Sequence, residues 1–210
     1  MSAGEMHVLF FGDSHTLGVG DPSGLGWVGR VVAASHAGGV PLVAYNLGIR
    51  RETSQDVLRR WQCEAEARSY PVATKVVFAV GANDTTEEDG VLRVEQGDSV
   101  ETLATLLRQS DAAGLPALVV GPAPVGDDRQ MDRISGLSDR FAGLCSQMGM
   151  PFVDVAVRLR QSETWREEIA ATDEAHPAAA GYEELARVVL DGGWLDWVGA
   201  NGRDVPGWVR

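Results

Sequence analysis

Cysteine is scarce in this sequence: Cys63 and Cys145 are the only two, far apart and in no CxxC pair. That spacing offers neither a thiolate metal site nor a disulfide framework. Free thiols in a reducing compartment are expected, with a single disulfide as the alternative. Long apolar runs are missing too. No stretch approaches the roughly 18 residues that a membrane helix needs, so no membrane insertion is expected. Met1–Glu5 lacks a basic segment followed by a long apolar one, so no signal peptide and a cytoplasmic location are expected. Positive charge is in deficit, with 18 Lys and Arg against 30 Asp and Glu and a net charge of −12. Nucleic-acid backbones and anionic bilayers repel such a chain, which sets both aside as partners without choosing a ligand. Repeats, linkers and low-complexity tracts are lacking, and 210 residues fit a single domain, 1–210. Its core is expected over about residues 6–191, with a Trp-rich tail at 192–210.

What is present is an alternation of strand-like and helix-like segments. The chain is 44% hydrophobic and 23% charged, enough for a sizeable core. Apolar runs at His7–Phe11, Pro41–Tyr45, Lys75–Val80, Ala117–Gly121 and, shorter, Pro151–Asp154 read as buried strands. Helical periodicity marks Gly26–Ala37, Thr53–Arg68 with a capping Thr53, Asp98–Ala113 before Gly114, and Arg129–Met148. A last helix is expected over Pro177–Leu190, with proline at its first position. The acidic, aperiodic stretch Asp84–Gly97 reads as a loop. Strands alternating with helices of this length imply crossover units: an α/β chain with a parallel sheet covered on both faces. Trp194, Trp197 and Trp208 are expected to pack the tail onto the domain; a dimer contact or a wall of a binding site is the alternative. A homo-oligomer is left open.

In an open parallel sheet, ligands bind beyond the carboxyl ends of the strands. Small polar clusters fall at that edge: Gly12-Asp13-Ser14, Asn46-Leu47-Gly48, Gly81-Ala82-Asn83-Asp84, Gly121-Pro122 and Asp173-Glu174-Ala175-His176-Pro177. A phosphate-cradling loop fails, because Gly12 and Gly18 are wrongly spaced and no lysine follows. The literal GxGxxG at Gly24–Gly29 does not directly follow a strand, and its glycines suit close helix packing better. A two-metal phosphoesterase built on Asp13, Asp84 and Asp173 would have only His15 and His176 near the edge, few for such a site.

Nucleophilic serine chemistry needs an exposed Ser on a sharp turn, a base oriented by a carboxylate, and donors for an oxyanion. Ser14 lies on the turn after the first strand, His176 is the best available base, and Asp173 lies three residues before it. His15, adjacent to Ser14, is expected to point elsewhere. Gly48 offers an unobstructed backbone N–H and Asn83 a carboxamide. Asp13 is expected to hold the surrounding turns rather than react. Gly12 and Gly18 are read as conformational. Arg50 and Arg51 read as solvated charges, with contact to an anionic substrate group as the alternative.

These motifs resemble the SGNH, or GDSL-type, hydrolase family. Gly12-Asp13-Ser14 matches its first block, Gly48 the second-block glycine, Gly81-x-Asn83-Asp84 the third and Asp173-x-x-His176 the fifth, in family order from residue 7 to about 190. His15 departs from the leucine of the family's name. The resemblance implies a flavodoxin-like, three-layer α/β/α sandwich on a five-stranded sheet. It also implies hydrolysis of small-molecule esters or thioesters with no metal or other cofactor. Ser14 would be the nucleophile, His176 the base and Asp173 its support, with Ser14 N–H, Gly48 N–H and Asn83 as oxyanion donors and Gly12, Asp13 and Gly81 in support. The loops after the second and third strands are polar and charged, so short acyl groups are expected to be favoured. Acyl transfer through the same acyl-enzyme, or a binding module on the same scaffold, are the alternatives.

Overall fold

The computed structural model describes residues 6–68 and 72–199. Five parallel strands form one sheet in the order β2-β1-β3-β6-β7: β1 (Met6–Gly12), β2 (Leu42–Gly48), β3 (Ala73–Ala79), β6 (Ala117–Val120) and β7 (Phe152–Val153). β1 lies between β2 and β3, and its apolar run is buried on both faces. Period-two alternation sends Val8 and Phe10 into one core and Leu9 and Phe11 into the other.

Helices cover both faces. On the Val8 side lie α2 (Gly26–Ala37), α8 (Ala179–Asp191) and α9 (Trp194–Val198), with Leu159, Trp165 and Ile169 from α6 (Ala156–Gln161) and α7 (Glu163–Ala170). On the Leu9 side lie α3 (Ser54–Glu66), α4 (Gln96–Ala112) and α5 (Asp128–Met148), which contribute Trp61, Leu103 and Phe141. The result is the expected three-layer α/β/α sandwich. Gly12 aligns with Gly48 on one side and Ala79 on the other, so β2, β1 and β3 end level. The chain leaves β1 toward β2 and later returns to β3 on the opposite side. The loops after β1 and β3 therefore flank a topological switch point, where such sheets bind ligands.

Several sequence expectations are corrected. The stretch 84–97 is not all loop. It holds a 3-10 turn (Asn83–Thr85) and a hairpin of β4 (Glu87–Glu88) and β5 (Val91–Leu92), turned by Asp89 and Gly90 at φ 53° and 80°. The helix expected from Pro177 starts at Ala179. Its first-turn amides at Ala180 and Gly181 are capped from α7 by the Glu168 carboxylate, at 3.3 and 2.7 Å. This long-range cap leaves Pro177 outside the helix. The tail packs onto the domain as expected, as far as Gly199. Trp194 is fully buried and stacked on Phe10, with ring centroids 5.5 Å apart, and Lys75 lies over the Trp197 ring at 5.0 Å. Trp208 lies outside the described residues. Cys63 and Cys145 are both free thiols, Cys63 exposed and Cys145 buried.

Candidate active site

The turn after β1 is built by sterics. A Cβ on Gly12 would collide with Thr16 Oγ1 and the Ala79 carbonyl, so only glycine lets the chain fold back against β3 there. Asp13 then caps the one-turn helix α1 (Ser14–Leu17), its Oδ1 accepting His15 N–H at 2.9 Å. Gly18, left-handed at φ 87°, ends the helix after that single turn and packs against Gly26 of α2. Ser14 is thereby held at the first helical position.

The other expected triad residues meet it. Ser14 Oγ lies 2.8 Å from His176 Nε2, and His176 Nδ1 lies 2.8 Å from Asp173 Oδ2. The carboxylate accepts, so the proton is on Nδ1 and Nε2 is free to accept from the serine hydroxyl. Asp173 Oδ1 also accepts the backbone N–H groups of His176 and Ala175, at 2.9 and 3.2 Å. Burial would raise the Asp173 pKa, but these N–H bonds and the imidazole hold it at about 2. Burial, a neighbouring His15 and Arg50 lower the His176 pKa, and Asp173 opposes them.

The three expected oxyanion donors stand differently. Ser14 N–H opens α1, where first-turn amides have no intrahelical acceptor. Asn83 Nδ2 donates to Asp13 Oδ2 at 3.2 Å and to the Glu52 carbonyl at 3.0 Å. Gly48 does not fit the donor role expected of it. Its N–H donates to Asn46 Oδ1 at 3.1 Å, and a Cβ there would come within 2.7 Å of the Asp13 carbonyl. It is needed so that β2 can pack against α1. Three residues on, Arg51 adopts φ 70° in the turn that Glu52 N–H closes on the Ile49 carbonyl. Its guanidinium pairs with Glu88 at 2.7 Å on the surface, and Arg50 is likewise exposed.

Gly81, at φ 114°, turns the chain over Phe141 toward Asn83. Asp84 is fully buried and accepts both Ser54 N–H and its hydroxyl, tying α3 to the 3-10 turn. Burial raises its pKa. Among the described residues, no three His, Cys, Asp or Glu side chains are grouped to hold a metal ion.

A cavity of about 220 Å³ opens on Ser14 and His176, walled by Asn83, Thr86, Val125, Asp127, Gln130 and Glu174. Thr86, Asp127 and Gln130 carry no motif that marks them as site residues in the sequence. Asp127, the cap of α5, was legible as an Asp before a periodic helix, but its place beside the cavity depends on strand order.

A serine, imidazole and carboxylate hydrogen-bonded in series at the switch point of a doubly covered parallel sheet define the nucleophile-type hydrolase class. The chain belongs to the GDSL-like lipase/acylhydrolase family, whose model matches residues 10–184. It is a carboxylic ester hydrolase of that family. Solved structures agree in fold. Axe2, an acetylxylan esterase from Geobacillus stearothermophilus, is 22% identical with a TM-score of 0.75, covering 95% of this chain and 97% of its own. A lipase/acylhydrolase from Enterococcus faecalis is 22% identical with a TM-score of 0.75, covering 90% and 95%. No curated protein matches the chain in sequence. No helix among the described residues is long and apolar enough to cross a membrane.

Proposed function

We propose that the protein hydrolyses short-chain carboxylic esters through an acyl-enzyme on Ser14. The observation that carries this is the unbroken series Ser14 Oγ–His176 Nε2 and His176 Nδ1–Asp173 Oδ2, each step 2.8 Å, at the mouth of a cavity. Ser14 Oγ attacks the ester carbonyl carbon as His176 Nε2 takes its proton. The bond to the alcohol then breaks and the alcohol leaves with that proton. Water attacks the acyl-enzyme, again giving a proton to His176, which returns it to Ser14 Oγ as the acid leaves. Asp173 keeps the imidazole in the Nδ1–H tautomer throughout.

The negative oxygen of each tetrahedral intermediate would be met by Ser14 N–H and by Asn83, which exchanges its longer 3.2 Å bond to Asp13 for the substrate. The third donor would be Arg51 N–H rather than Gly48 N–H. The left-handed Arg51 sits next to the Glu52 carbonyl that Asn83 holds.

The cavity favours a neutral, hydroxyl-bearing alcohol. Thr86 and Gln130 supply hydrogen-bonding groups, and Asp127, Asp173 and Glu174 line it with no Lys or Arg among its walls. An acetylated carbohydrate fits that chemistry, and the Geobacillus neighbour is described as an acetylxylan esterase. Turnover of p-nitrophenyl acetate and of acetylated xylo-oligosaccharides by the parent protein and by Ser14→Ala tests this. Activity in the parent and its loss in the variant are expected; no turnover of any ester would refute the proposal.

A further inference from the structure

Of the four histidines, the proposed reaction uses one. His15, next to the nucleophile, is buried at 7% exposure. Removing an imidazole from water costs the hydration of both ring nitrogens, so its partners indicate its task. Nε2 lies 2.9 Å from the Ala175 carbonyl. A carbonyl only accepts, so the proton is on Nε2. Nδ1 has no hydrogen-bond partner and lies 3.7 Å from Asp13 Oδ1. The ring stacks on Trp165, with centroids 6.1 Å apart and planes at 23°, and Trp165 Nε1–H is fixed on the Pro124 carbonyl at 3.2 Å. The His176 ring is 5.2 Å away.

The segment carrying Asp173 and His176 needs external restraint. Asp173 is half exposed, and Glu174 has φ 61°, a left-handed conformation that a side chain adopts only under constraint. Three successive carbonyls of that segment are held, two by donors from elsewhere in the chain and one by Thr172 at the segment's own start. Gly126 N–H takes Glu174 O at 2.7 Å, His15 takes Ala175 O at 2.9 Å, and Thr172 Oγ1 takes His176 O at 2.6 Å. Of these three, only His15 belongs to the helix that carries Ser14.

We infer that His15 is a positioning residue: its Nε2–H clamps the Ala175 carbonyl and so sets the His176 ring against Ser14. The inference rests on Ser14 and His176 being the reacting pair. Errors near 1 Å in such a pair cost on the order of 10²-fold in rate, so a tie between the two elements has a direct catalytic effect. Glutamine presents its Nε2 the same number of bonds from Cβ as histidine does and keeps the donor. Leucine fills the space beside Trp165 without one. Asparagine stops one bond short.

The experiment compares kcat and KM for p-nitrophenyl acetate in the parent, His15→Gln, His15→Leu and His15→Asn, with thermal unfolding of each. The expected result is kcat within about threefold of the parent for His15→Gln and lower by about 10- to 100-fold for His15→Leu, with KM little changed. If the leucine variant fails to fold, His15→Asn takes its place with the same expected loss. Equal losses in the glutamine variant and in the leucine or asparagine variant, or no loss in either, would overturn the clamp while leaving the proposed function standing. A parent with no esterase activity would overturn both.

Discussion

Asn83 donates a hydrogen bond to Asp13, Nδ2 to Oδ2 at 3.2 Å, and so joins the turn after β3 to the turn after β1. Through Oδ1 the same carboxylate caps the helix that carries Ser14. One buried acid thus fixes both the Ser14 turn and a candidate oxyanion donor, the supporting task the sequence suggested for Asp13.

Asn83→Ala removes a donor that acts on charge present only in the transition state. kcat is expected to fall by roughly 10²–10³ with KM little changed. Steady-state kinetics on a short-chain ester check this; a raised KM at unchanged kcat would make Asn83 a substrate-binding residue instead.

Gly48→Ala separates packing from catalysis. Its new Cβ would lie 2.7 Å from the Asp13 carbonyl and closer still to Leu17 N, all backbone atoms that cannot swing aside. Overpacking of this kind costs about 1–3 kcal/mol. In a chain of this size that lowers Tm by roughly 2–12 °C. Thermal denaturation followed by circular dichroism measures it, and an unchanged Tm would show that the β2–α1 contact is looser than described.

The acid limb of the pH profile is expected to lie below 6.5. Burial, His15 and Arg50 push the His176 pKa down from that ordinary value, so the base stays deprotonated further into acid. Asp173, held at about 2, remains ionised across the limb and does not contribute to it. The sign for stability follows from the same shift. A carboxylate whose folded pKa falls from 3.8 to about 2 contributes stability that is fully present above 3.8 and lost as pH drops through about 2. A kcat/KM profile from pH 4 to 9 tests the limb; a midpoint above 6.5 would contradict this reading.

Acyl length is expected to peak at acetyl to butyryl. The tail tryptophans could have supplied a greasy wall, but Trp194 is buried on Phe10 and its Nε1–H is spent on Ser35 Oγ at 2.8 Å. Trp197 packs against Trp194 and Lys75. Neither lines the 220 Å³ cavity at Ser14. Each buried methylene is worth about 0.8 kcal/mol only where an apolar wall receives it. A p-nitrophenyl ester series from two to twelve carbons decides it, and a maximum at eight or more would mean such a wall exists.

Elements of three turns or more were legible in the sequence because their periodicity is long enough to read: α2, α3, α4 and α5 fall where the apolar spacing puts them. α1, α6, α7 and α9 are too short to show a period. The start of α8 was misplaced because Glu168, eleven residues upstream of Ala179, supplies its cap. Ser14 was legible because it follows the small-residue turn that ends β1, and Asp173 and His176 because a carboxylate and an imidazole three residues apart stand in one short loop, which the structure places between α7 and α8. What local sequence hides is which amide is already spent. The Asn46 side chain that takes Gly48 N–H is itself held by the Thr16 carbonyl, and that contact, the Asn83 amide on Asp13 and the His15 ring on Ala175 all depend on how distant turns meet. His15 was expected to point away from Ser14. It makes no bond to Ser14, but it lies against the loop of the base, a contact set by tertiary packing alone.

The account stands most directly on Ser14 being the nucleophile. Treatment with a fluorophosphonate followed by peptide mass spectrometry measures this in the intact protein. One adduct is expected, on Ser14 in the peptide containing Gly12-Asp13-Ser14, and none in Ser14→Ala, whose unfolding temperature stays near that of the parent. An adduct on another serine, or esterase turnover undiminished in Ser14→Ala, would contradict it.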